Sequence, residues 1–162
     1  MSRTIKPEPL SQAAFAPYGS IIEADPAMAF EINDGFTTRF HALAEAQSDA
    51  QVILSIFRGR PRPLRVAMLE RHPHGSQAFM PLSARPWLAV VASEPTPRAC
   101  RLFMVNGGQG LQYRRGVWHH PLLVLDEAQD FLVVDRKGPG ENLDEVFFPE
   151  PMSLSFTPNN WP

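Results

Sequence analysis

Four of the five histidines of this chain fall in two short clusters, His72-Pro73-His74 and His119-His120, each between segments with strand character. Neutral imidazole is a ligand for Zn, Ni, Fe and Cu. A His-x-His pair on an extended segment turns both rings to one face, because side chains alternate with period two. Gly116 shortly before His119 places a turn ahead of the second cluster. Two histidine-bearing strand ends beside turns can converge on one metal site inside a barrel. A His-x-His pair alone is often only a surface pair or a hydrogen-bonded core pair; two such clusters weigh against that simpler reading.

The elements that would position these histidines are short. Seventeen prolines and ten glycines divide the 162 residues into pieces, and the composition, 44% hydrophobic and 20% charged, is that of one globular domain spanning residues 1–162. Ser11 caps a short helix that ends before Pro17-Tyr18-Gly19. Strand signals follow at 20–23, 52–57, 64–70, 77–82, 87–93, 100–105, 122–125, 131–135, 145–148 and 153–156, most of them rich in Val, Ile, Leu or Phe and bounded by Pro, Gly, Asn or Asp. Residues 42–50 have room for a helical turn or two, and Gly138-Pro139-Gly140 reads as a loop. In the tail, 157–162, Trp161 is a residue that could dock on a partner subunit. Many short strands with close turn signals predict an all-β sandwich or barrel.

Bulk properties exclude several classes. A net charge of -2 gives no general attraction to nucleic acid or anionic lipid. Among 15 basic residues only Lys6 and Lys137 are lysines, a skew that fits genome composition, and the arginines lack interleaved aromatics. Cys100 is alone, so no intrachain disulfide forms, which suits a reducing compartment. The first residues contain no apolar leader-like stretch, and runs such as 87–92 are too short to span a bilayer. A cytoplasmic protein bound to neither membrane nor nucleic acid is expected.

The segments His72-Pro73-His74-Gly75-Ser76-Gln77-Ala78-Phe79-Met80-Pro81 and Gly116-Val117-Trp118-His119 resemble the two motifs of the cupins, small double-stranded β-barrels. Gln77 stands where many cupins carry Glu, and a neutral amide donates less charge to a cation. Pro73 removes one backbone donor. The resemblance narrows when Glu70-Arg71 is added to the first motif. That stretch is similar to the signature of the ureidoglycolate lyases, formerly called ureidoglycolate hydrolases. The same family is resembled at Leu10-Ser11…Phe15…Tyr18-Gly19, Ile32-Asn33-Asp34-Gly35…Arg39-Phe40-His41, Ser55-Ile56-Phe57-Arg58, Gly116–Pro121 and Phe131–Arg136. The resemblance implies a cupin-like double-stranded β-barrel, homodimeric and cytoplasmic, that splits (S)-ureidoglycolate into glyoxylate and urea during allantoin and purine breakdown. It also implies a divalent metal, nickel, for which His72, Gln77 and His119 are the best-matching positions. His74 shares the face of His72, but the family pattern does not require it.

The chemistry asks for particular groups. Ureidoglycolate carries hydroxyl, carboxylate and ureido nitrogen on one carbon, so elimination removes the hydroxyl proton and protonates the departing nitrogen. His41, His119 and His120 are the candidate acid–base groups. Arg39, Arg58, Arg71 and Arg136 are candidate carboxylate clamps, because a guanidinium grips a carboxylate bidentately. Asn33 and Gln77 can bind the ureide. Glu70 and Asp135 read as partners of the adjacent arginines, and Asn33-Asp34-Gly35 reads equally as a turn. The alternative to a lyase is a non-catalytic or other metal-dependent cupin that binds a small carboxylic acid.

Overall fold

Strands dominate the computed structural model, which describes residues 2–156. In chain order they are β1 (Thr4–Ile5), β2 (Pro7–Pro9), β3 (Gly19–Ile22), β4 (Ala29–Ile32), β5 (Thr37–Phe40), β6 (Gln51–Gly59), β7 (Arg65–Arg71) and β8 (Gln77–Pro81). They continue as β9 (Trp87–Ala92), β10 (Cys100–Val105), β11 (Gly110–Tyr113), β12 (Trp118–His119), β13 (Leu123–Val124), β14 (Gln129–Lys137) and β15 (Asp144–Leu154). One sheet runs β1-β15-β7-β12-β9-β10-β2, with β13 also on β9; a second runs β3-β11-β8-β14-β6; β4 and β5 form a separate hairpin. The expected all-β fold of two facing sheets is therefore present, with the short helix α1 (Gln12–Phe15) at the N-terminal end.

The Ser11 hydroxyl caps α1 by accepting from the Ala14 amide at 3.1 Å. The helix drives Phe15 into the interior, edge-on to Phe103 at 5.7 Å between ring centroids. Strand β9 is buried at every position, which explains its unbroken apolar run. Trp87, Ala89 and Val91 join Phe79, Phe103, Leu111, Phe131 and Val133 between the sheets. Leu88, Val90 and Ala92 join a second core, with Leu102, Met152 and Leu154, on the other face of the large sheet.

Several local expectations change. The segments 145–148 and 153–156 are one strand, β15, whose register against β7 shifts between Phe147 and Met152, where Pro149 and Pro151 interrupt the ladder. Residues 42–50 form a strap rather than helical turns. Its carbonyls are bonded to the smaller sheet: the Ser76 backbone amide, just before β8, donates to the Gln47 carbonyl at 2.8 Å, and the Gln112 side-chain amide on β11 donates to the Glu45 carbonyl at 2.7 Å. Gly75 sits where this strap crosses. A side chain there would meet Cβ of Arg136 at 2.9 Å and the Gln47 carbonyl at 3.1 Å. The tail 157–162, with Trp161, lies outside the described residues.

Candidate active site

Strand pairing builds the site. β12 lies antiparallel to β7 with His119 opposite Glu70. Gly116, at a left-handed φ of 76°, makes the turn into β12, and its amide donates to the His72 carbonyl at 3.0 Å, tying the two histidine clusters together. Trp118 packs into the outer core, so alternation turns His119 inward, where it stacks on Tyr113 at 4.3 Å. His72 follows Glu70 by two residues and shares its face. Gln77 opens β8 in the opposite sheet.

Four acceptor atoms converge there. Glu70 Oε1 lies 3.5 Å from His119 Nε2 and 4.0 Å from His72 Nε2. His72 Nε2 lies 3.1 Å from Gln77 Oε1. Each imidazole commits its other nitrogen to a backbone carbonyl: His72 Nδ1 to Asn142 at 2.9 Å and His119 Nδ1 to Val117 at 3.0 Å. A carbonyl only accepts, so each Nδ1 carries a proton, and each ring in its neutral form presents its Nε2 lone pair inward. His119 Nε2 is buried without a hydrogen-bond partner. Glu70, His72 and His119 thus form a cluster that could hold a metal ion, and the Gln77 oxygen adjoins it. Backbone carbonyls that fix the tautomer of a ligating histidine are the usual support of such sites. The donor set fits a divalent cation.

The electrostatics agree. Burial works to raise the Glu70 carboxyl, but the facing imidazoles, His119 first, outweigh it and hold the group below the ordinary carboxylate range. Burial, reinforced by the Glu70 charge, pushes the Tyr113 hydroxyl up, so it stays protonated. A cleft of about 320 Å³ opens on the cluster and is lined by Phe57, Arg58, Glu70, Gln77, His119 and Leu122 among others. Such a volume suits a small metabolite.

The structure gathers only part of the expected set. His72, Gln77 and His119 come together. Arg58 lines the cleft, but its guanidinium fork is engaged by Asp130 at 2.7 and 2.9 Å. His120 is buried and not among the cleft-lining residues; its Nδ1 donates to the Pro121 carbonyl at 2.8 Å, and burial pushes its pKa down to about 4. Asn33, Arg39 and His41 lie on or beside the β4–β5 hairpin, away from the cleft lining. There Asn33 bonds Thr37, Arg39 lies over Phe30, and Phe30 packs on His41. Residues 33–35 are the hairpin's turn, all with positive φ. Arg136 pairs with Asp49 and donates to the Pro139 carbonyl at 2.7 Å. His74 also faces Asp49, at 3.2 Å. Arg71 pairs with Asp144 and lies over Trp118.

The expected pairing of Glu70 and Asp135 with adjacent arginines is not what forms. Glu70 faces the two imidazoles, and Asp135 accepts from Gln77 Nε2 at 3.2 Å. The signal for Glu70 was present: Glu70-x-His72 on a strand is the same period-two pattern that singled out His72-x-His74.

Comparison with known proteins adds the family. The model of the ureidoglycolate lyase family matches residues 2–155. A ureidoglycolate lyase of Rhizobium etli (strain CIAT 652) is 55% identical over 153 residues, covering 90% of this chain and 92% of that protein. A ureidoglycolate lyase of Pseudomonas syringae pv. tomato is 52% identical over 165 residues, covering 97% of each. Among solved structures, oxalate decarboxylase from Bacillus subtilis aligns with a TM-score of 0.42 at 15% identity, covering 80% of this chain and 28% of that one. A near-complete family match, two relatives above half identity and a site built from the family-like segments lead to one conclusion: the chain belongs to the ureidoglycolate lyase family.

Proposed function

We propose that this protein is a lyase that eliminates urea from ureidoglycolate and leaves glyoxylate, with the Glu70–His72–Gln77–His119 cleft as its active site. The observation that carries the reading is that Glu70, His72 and His119 bring ligand atoms within 4.8 Å of one another beside a small cleft, with the Gln77 oxygen 3.1 Å from His72 Nε2. Glu70, His72 and His119, with the Gln77 oxygen, would hold a divalent cation; nickel is the one that the family resemblance implies, and imidazole and carboxylate donors suit it. A bound cation would polarise the hydroxyl and carboxylate oxygens of an α-hydroxy acid and lower the hydroxyl pKa.

The chain's own groups account for the rest. Elimination moves one proton from the hydroxyl oxygen to the ureido nitrogen while the C–N bond breaks and the C=O bond forms. Glu70 is ionised at neutral pH, since its pKa is held low. Its Oε1 faces both histidines, and its second oxygen is the acceptor we assign to the hydroxyl proton, which it then passes to the departing nitrogen. Arg58 is the cation that lines the cleft, and it reaches the substrate carboxylate by exchanging its Asp130 partner. Phe57 and Leu122 exclude water from one wall.

A homodimer belongs to this reading. The edge strand β6 presents Val52, Leu54 and Ile56 on one exposed face, an apolar stripe suited to a second copy. The hairpin with Asn33, Arg39 and His41 does not line the cleft of its own chain, so a role for these residues in binding or proton transfer requires that second copy. We read the whole chain as one unit, because both sheets contribute to the cleft. The single cysteine supports a cytoplasmic setting, and no helix among the described residues is long and apolar enough to cross a membrane. We assign the reaction to allantoin breakdown, the setting that the family resemblance implies.

The test is a coupled assay for glyoxylate and urea from racemic ureidoglycolate, with and without chelator. Urea equal to glyoxylate, lost on chelation, supports the proposal. Stoichiometric ammonia without urea overturns the lyase reaction, and binding without turnover favours a non-catalytic acid-binding role.

A further inference from the structure

Asp135 occupies an odd place for an acid. Along β14 the inward positions are Gln129, Phe131 and Val133, all buried in the barrel, and Asp135 is the next residue of that row. The adjacent Arg136 turns to the other side and is taken by Asp49 and Pro139. β14 pairs with β8 with Val134 opposite Ala78, so one further step sets Asp135 opposite Gln77, and β11 sets Tyr113 on the other flank of Gln77. The side chains meet as that register demands: Gln77 Nε2 donates to Asp135 Oδ2 at 3.2 Å.

A carboxylate can only accept, so Asp135 decides which end of the Gln77 amide faces it. The NH2 end is taken, and Oε1 is left 3.1 Å from His72 Nε2. His72 Nδ1 already donates to Asn142, so the ring in its neutral, metal-binding form also presents an acceptor. Two acceptors at that distance repel unless a cation or proton lies between them. A flipped amide would remove the conflict by donating from Nε2 to His72, and that hydrogen bond would cap the histidine lone pair. The site would then lose two donors at once.

We propose that Asp135 is a positioning residue that locks the Gln77 amide with its oxygen toward the cation site and so keeps His72 free to bind metal. This inference rests on the divalent-cation reading given above. Gln77 and Asp135 together place a negative charge behind a neutral ligand, and the charge acts through the orientation it imposes.

The experiment is a cycle of titrations with Ni(II) chloride on metal-free protein, with thermal melts to show that each variant folds. Wild type binds nickel, and His72→Ala abolishes binding. Asp135→Asn, which is isosteric but lets both amides flip, weakens binding by roughly 10–100-fold, the usual effect of removing a group behind a ligand. In the Gln77→Glu background the ligand has no wrong end, so adding Asp135→Asn costs no affinity. Asp135→Ser takes the place of Asp135→Asn in both backgrounds if the latter does not fold. Equal losses in both backgrounds show that Asp135 acts only as a nearby charge and overturn the inference. Unchanged affinity in Asp135→Asn, with wild-type binding that His72→Ala abolishes, also overturns it and leaves the cation reading standing. Absence of nickel binding by wild type overturns both.

Discussion

Adding nickel to metal-free protein raises its melting temperature by an amount that the proposed donor set makes calculable. The donors come from β7, the β7–β8 connection, β8 and β12, so a cation there ties both sheets and has no equivalent site in the unfolded chain. Ligand at a hundred times its dissociation constant stabilises the folded state by about 2.7 kcal/mol. A chain of this size gains roughly 2–4 °C per kcal/mol, so the shift is about 5–11 °C. His72→Ala is the matched control, because His72 lies at the edge of the core and its loss leaves the Tyr113–His119 stack in place. Differential scanning calorimetry with nickel and then with excess chelator reads both proteins. Wild type shifts and reverts; the variant does not shift. The shift also shrinks on acidification, since imidazole binds metal only when neutral. An equal shift in His72→Ala would place the cation elsewhere and refute the reasoning.

Asp130→Asn releases the fork of Arg58, so KM for ureidoglycolate falls while kcat changes little, whereas Arg58→Lys lowers kcat/KM by roughly 10–100-fold, since a point charge cannot reproduce the bidentate grip; a raised KM in Asp130→Asn removes Arg58 from substrate binding. His120 has a folded pKa of about 4, below the ordinary imidazole value of 6.5, so the unfolded chain binds the extra proton first. Stability therefore declines as pH falls from about 6.5 towards 4, by on the order of 3 kcal/mol, and denaturant titrations of His120→Gln should lack that share of the slope. Phe131 is fully buried, edge-on to Trp87 at 5.1 Å, and Phe131→Ala is expected to cost about 3–5 kcal/mol in urea unfolding; a loss below about 1 kcal/mol would mean that the space between the sheets collapses freely.

Much of this molecule is written in local patterns. The Ser11 cap, the unbroken apolar run of β9, the Gly116 turn and the period-two spacing of His72 are read from adjacent residues, because backbone sterics and side-chain alternation act over a few positions. They indicate an all-β fold and two histidine-bearing strand ends, whereas the set His72, Gln77 and His119 comes from the family resemblance. Other elements escaped because their signals are weak: β11 contains Gly110 and Gln112, and β12 has two residues. The composition of the site was not local at all. Glu70 joins His119 because β12 settles beside β7 in one register, and Asp135 reaches Gln77 because β14 settles beside β8 in another. Those registers follow from which apolar faces must be buried together, and a slip of one residue would turn every side chain to the opposite face. The same packing spends Arg58 on Asp130 and Arg136 on Asp49, and carries Asn33, Arg39 and His41 onto a hairpin that does not line the cleft. A sequence names the groups able to do the chemistry; which of them share a site is decided by strand neighbours distant in the chain, through the burial of a core to which most of those groups do not belong.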